Sequence, residues 1–95
     1  MLELRHLETL TAIEASGSLL EASERLHVTQ SALSHQVREL AGRLGVQLLN
    51  RRTRPLRFTT AGLRVLQLAR EVLPQVREAE RELKKLAAGR TGRLH

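Results

Sequence analysis

The sequence predicts a mainly α fold made of three short helices, a small extended ribbon and one long helix. Three observations carry this. Apolar residues recur at helical spacing through three segments near the amino end, short alternating segments flank an arginine-rich stretch after residue 45, and an apolar heptad seam follows. With 95 residues, 41% apolar and 27% charged, the chain has the size of one small domain with a modest core.

Leu4, Leu7, Leu10 and Ile13 recur every third residue, which predicts an amphipathic helix over 3–15 that stops near Gly17. Ser18 followed by Glu21 matches a capping box, so a second helix starts at 19. It ends around Leu26, leaving His27 and Val28 as a tight connection before Thr29, whose hydroxyl can cap the next helix. That third helix should run from Gln30 to about Leu44, with Gly45 just past its end. Two short helices joined by so few residues make a helix-turn-helix, here 18–37.

The pattern then changes. Residues 46–49 and 56–59 alternate around Asn50-Arg51-Arg52-Thr53-Arg54-Pro55, which predicts a two-stranded ribbon or extended loop, a wing at about 48–59. Thr60 precedes a long helical pattern and is the expected N-cap of a helix over 60–88. Val65, Ala69, Val72, Val76, Ala79, Leu83 and Leu86 are spaced 4, 3, 4, 3, 4, 3, and Leu66 and Leu73 widen this seam. About 28 helical residues span roughly 42 Å. Such a rod looks too long to cover itself on a small domain, and the seam is expected to meet a second copy. Folding back, remaining alone and lying on a membrane are the alternatives, but Ala69 and Ala79 favour close helix-helix approach over a membrane surface. Residues 89–95 hold Gly89 and Gly92, lack a helical period, and are expected to form a hinge.

Helix three carries the chemistry. Leu33, Val37, Leu40 and Leu44 fall at i, i+4, i+7 and i+11 and form its buried stripe, which leaves Gln30, Ser31, Ser34, His35 and Arg38 on the other side. Gln and Arg can make bidentate contacts to base edges, Ser can donate or accept, and a helix fits the major groove. Thr29 is a cap first and a phosphate contact second. His35 can also bond Glu39 one turn on, and Arg38 can reach a phosphate or pair with nothing.

Net charge is +6, and its placement matters more. Between Glu39 and Glu71 there is no acid, while Arg43, Arg51, Arg52, Arg54, Arg57, Arg64 and Arg70 all lie there. Such a patch suits a polyanion, because neutralising phosphates releases condensed counterions. Arg51, Arg52 and Arg54 are the candidate phosphate or minor-groove contacts of the wing, and Arg57 can equally face solvent. A merely solvated basic face is the competing explanation.

Other classes fit poorly. Phe58 is the only aromatic residue, so no stacking platform for single strands exists. Ser31 and His35 share a helical face, but no orienting acid or oxyanion loop accompanies them, so no enzyme is expected. His6, His27 and His95 lack metal spacing and are expected at the surface or in turns; no metal or cofactor is expected. The chain has no cysteine, no signal-like start and no stretch near 20 apolar residues, and the expectation is a cytoplasmic protein without membrane contact.

Residues 18–34, followed by Leu44-Gly45-Val46-Gln47-Leu48-Leu49 and Thr59-Thr60-Ala61-Gly62, resemble the amino-terminal region of LysR-type transcriptional regulators. The resemblance spans nearly the whole chain and is most specific at Thr29-Gln30-Ser31-Ala32-Leu33-Ser34. Leu49 stands where the family usually has Phe and Thr60 where Pro is common. The resemblance implies a winged helix-turn-helix over 1–59, a dimer made by the linker helix, and a C-terminal ligand-sensing domain beyond residue 95. It also implies base contacts from Gln30, Ser31, Ser34 and His35, backbone contacts from Arg51, Arg52 and Arg54, and tetramers as a further option in the full-length protein. Segments 30–36, 55–59 and 72–75 are most similar to the branch that regulates methionine biosynthesis, which implies homocysteine as the effector of the missing domain. A nonspecific architectural DNA-binding protein and a helical interaction adaptor are the rival functions.

Overall fold

Local caps set the helix boundaries. In the computed structural model, which describes residues 2–50, 52–53 and 56–93 (90–93 by backbone alone), α1 runs Leu4–Ser16, α2 Leu19–Leu26 and α3 Gln30–Leu44. Gly17 closes α1 with φ 80° and an N–H donated to the Ile13 carbonyl at 2.8 Å. The Ser18 hydroxyl accepts the Glu21 N–H at 3.2 Å, and the Thr29 hydroxyl accepts the Ala32 N–H at 3.0 Å. Between α2 and α3 the chain turns at His27, with φ 59°, a left-handed conformation uncommon for a side chain other than glycine.

Strand β1, Leu49–Asn50, pairs antiparallel with β2, Arg57–Phe58, in the register Leu49 to Phe58 and Asn50 to Arg57. α4 then extends Thr60–Arg93. Its cap is Thr59, one residue earlier than expected: the Thr59 hydroxyl accepts the Gly62 N–H at 3.1 Å and donates to the Gln47 carbonyl at 2.6 Å. Thr60 is already helical, because the hydrogen bond from Thr59 N–H to the Leu48 carbonyl places Thr59 at the turn. The helix also continues through 89–93 of the segment 89–95 expected to be a hinge; 94–95 lie outside the described residues. A glycine costs about 1 kcal/mol in a helix, and no proline is present there to remove a backbone donor.

The core gathers residues of α1, α2, α3 and the first half of α4, with α1 packed on α4 and α2, α2 packed on α3, and Leu10, Ile13, Leu33, Leu48 and Leu66 fully buried. This corrects the reading of the heptad seam as one dimerisation stripe. Val65, Leu66, Ala69 and Leu73 are buried in the chain's own core, so they are not available to a partner. Val72 and Val76 are half-buried, and Ala79, Leu83 and Leu86 are exposed. The physical reason is that α1 lies along α4, and an Arg70–Glu14 ion pair fastens the two helices. Past Val76 the rod leaves the domain, which gives a molecule 59 Å long and only 24 by 21 Å across. Pro74 sits on the exposed side and does not interrupt the helix. Among the described residues no helix is long and apolar enough to cross a membrane.

Candidate nucleic-acid interface

Because Leu33, Val37 and Leu40 are drawn into the core, the opposite stripe of α3 must face out. Gln30, Ser31, His35 and Arg38 are exposed and Ser34 is half-buried. Gln30, Ser31, Ser34 and Arg38 line one open concavity together with Leu19 from the start of α2. Thr29 caps this helix, as expected, and is exposed beside it.

His35 stands near Glu39, one turn on, and remains exposed. Its Nε2 lies 3.6 Å from Glu39 Oε2, too long for a strong hydrogen bond, and 71% of the side chain stays accessible. Glu39 Oε1 in turn accepts from Arg43 at 2.8 Å, and Arg43 approaches Glu3 at 3.8 Å. This ladder of charges ties α3 to the start of α1. It also shows that Arg43 and Arg70, two members of the acid-free stretch, answer to acids elsewhere in the chain.

The wing is ordered by Asn50. Its Oδ1 accepts the Arg52 N–H at 3.1 Å and its carbonyl accepts the Thr53 hydroxyl at 3.2 Å, a side-chain-closed turn of the kind Asn favours. Arg52 and Arg57 are exposed; Arg51 and Arg54 lie outside the described residues. A second concavity, lined by Gln47, Leu49, Asn50, Arg52 and Thr59, opens beside this turn. The turn at Asn50 falls in the loop that the alternating segments predict, while Gln47 was not among the residues expected at this surface.

His6 departs from its expected surface position and is buried at the amino end of α1. Its Nδ1 accepts the Glu3 N–H at 2.9 Å, a cap made by an imidazole. Burial pushes its pKa down; nearby Glu3 opposes this, while Arg5 and Arg43 reinforce it.

Residues 4–63 match the model of a family described as bacterial regulatory helix-turn-helix proteins, lysR family. The chain belongs to the LysR family. It is 47% identical over 93 residues to the HTH-type transcriptional regulator MetR of Haemophilus influenzae, covering 98% of this chain and 30% of that protein. Against the Salmonella typhimurium MetR it is 54% identical over 79 residues, covering 83% and 25%. The chain thus spans under a third of the length of these relatives. Among solved structures, the complex of the BenM DNA-binding domain with catB site 1 DNA superposes with a TM-score of 0.85 at 35% identity, covering 93% of this chain and 95% of that one. The CbnR DNA-binding domain in complex with DNA gives 0.77 at 32% identity, covering 90% and 99%. The mainly α winged helix-turn-helix with its long terminal helix is therefore the fold of LysR-type DNA-binding domains.

Proposed function

We propose that this chain is the DNA-binding portion of a transcriptional regulator, and that it recognises a specific double-stranded site as a dimer. One observation carries the reading: the amino end of α3 presents Gln30, Ser31, Ser34, His35 and Arg38 on a single accessible stripe whose reverse side is core. The solved complexes of related domains with DNA support it. In this reading α3 enters the major groove, Gln30 and Ser34 read base edges, and Arg52 with its neighbours in the wing follows the phosphates. Ala79, Leu83 and Leu86, left bare by the domain, meet the same residues of a second copy and set the distance between half-sites. The likeness to proteins named MetR supports the methionine branch, in which the effector would bind outside this chain.

Selection of preferred duplexes from a random pool tests the reading. A defined site should emerge, and Gln30→Ala should weaken binding to it by about 1 to 3 kcal/mol while leaving affinity for unrelated duplexes nearly intact. Equal losses on both would remove base readout and leave the architectural alternative.

A further inference from the structure

The recognition helix and the wing are joined by a surface that neither accounts for. Arg38 lines the concavity at the amino end of α3 and also a second one bordered by Ala41, Gly42, Gly45, Val46 and Gln47. Gln47 belongs to that second concavity and to the one beside the wing, with Asn50 and Arg52. The three concavities thus adjoin in series at Arg38 and Gln47, and together they trace a trough from Gln30 to Arg52. At 100° per residue, Gly42 falls on the same stripe of α3 as Ser31 and Arg38.

Gln47 is exposed, yet its backbone is held firmly, because its carbonyl accepts the Thr59 hydroxyl at 2.6 Å. An exposed amide on a fixed backbone is a ready donor to a phosphate oxygen. Gly42 lies beside it without any structural need for glycine: its backbone is ordinary helix, and a Cβ built there meets nothing within 4 Å. Alanine would make the better helix at this position. The bare backbone does, however, keep the floor of the trough low between the cation of Arg38 and the amide of Gln47.

We propose that Gln47 is a further duplex contact, donating its side-chain amide to a phosphate of the strand that leaves the recognition helix for the wing, with that strand passing over Gly42. This rests on the reading of α3 as a DNA-binding helix and adds the path that links its base contacts to Arg52. The occupant is a phosphodiester backbone rather than a peptide, because the described residues that line these concavities include Arg38 and Arg52 and no acid.

Two variants test it, Gln47→Glu, which sets a carboxylate against the phosphate, and Gly42→Leu, which raises the floor with a good helix former. Binding of each is measured by fluorescence anisotropy on the selected duplex and on an unrelated one, with melting temperature as the control for folding. Both variants should lose about tenfold in affinity on both duplexes while melting no lower than the parent protein. Affinities within twofold of the parent on both duplexes would overturn the proposal while leaving the reading of α3 intact. If the parent binds all duplexes alike and the variants still lose tenfold, Gln47 stands and sequence readout falls.

Discussion

Gly62 lies against the carbonyl of Leu48 so closely that a Cβ built on it would stand 2.2 Å from that oxygen and 3.0 Å from the Phe58 ring. The Leu48 carbonyl is already committed, accepting the Thr59 N–H at 3.0 Å, so it cannot turn aside without loosening the junction of wing and α4. Gly62→Ala is therefore expected to destabilise the domain by about 2 kcal/mol, despite alanine's better helix propensity. Urea denaturation followed by circular dichroism measures this; an unchanged midpoint would mean the junction can yield.

Acid should weaken the fold through His6. Its pKa is held below the ordinary value near 6.5 by burial, and Glu3 is held below 4.5, chiefly by its hydrogen bond from Arg5. Each group thus binds fewer protons folded than unfolded. The stability it contributes is present above its ordinary pKa and is lost as pH falls through the lowered one, His6 yielding before Glu3. Protonation also turns Nδ1 from acceptor into donor and ends its bond to the Glu3 N–H. Melting temperature should fall by a few degrees between about pH 7 and 5. His6→Gln, which keeps an acceptor at this position without titrating, should flatten that slope; an equally steep slope in the variant would place the effect elsewhere.

The two halves of α4 should respond differently to truncation. Leu66→Ala is expected to cost about 2 to 5 kcal/mol of chain stability, because the side chain is 1% exposed. Leu83→Ala, at a residue 63% exposed, should leave stability within about 0.5 kcal/mol and instead weaken self-association. Sedimentation velocity across a concentration series separates the two effects. A dimer unaffected by Leu83→Ala would argue against pairing through this half of the helix.

Arg52→Ala should weaken binding to every duplex alike and reduce the slope of log affinity against log salt by about one. A titration at several ionic strengths checks it, and a parallel line displaced downward would indicate a contact other than to phosphate.

Helix boundaries were legible because their causes are local. Ser18 and Thr29 reach only three residues along the chain, and the glycines at 17 and 45 permit the left-handed turn that ends a helix, whatever surrounds them. The stripe of Leu33, Val37 and Leu40 implied its own reverse side, so the exposure of Gln30, Ser31 and Arg38 followed from spacing alone. By contrast, the choice of Thr59 over Thr60 as the cap depended on a carbonyl eleven residues away, that of Leu48, which the local pattern does not contain.

What the amino-acid order determined by itself was the succession of elements, the accessible face of α3 and the concentration of arginine after Glu39. Only tertiary packing decided that Val65, Leu66, Ala69 and Leu73 belong to the core, while Ala79, Leu83 and Leu86 are left for another surface. A heptad seam repeats identically along its length, whereas the helix that covers it, α1, is 13 residues long and reaches only the first part. The burial of His6 and the closeness of Gly62 to Leu48 have the same origin, since both arise where segments distant in sequence come together.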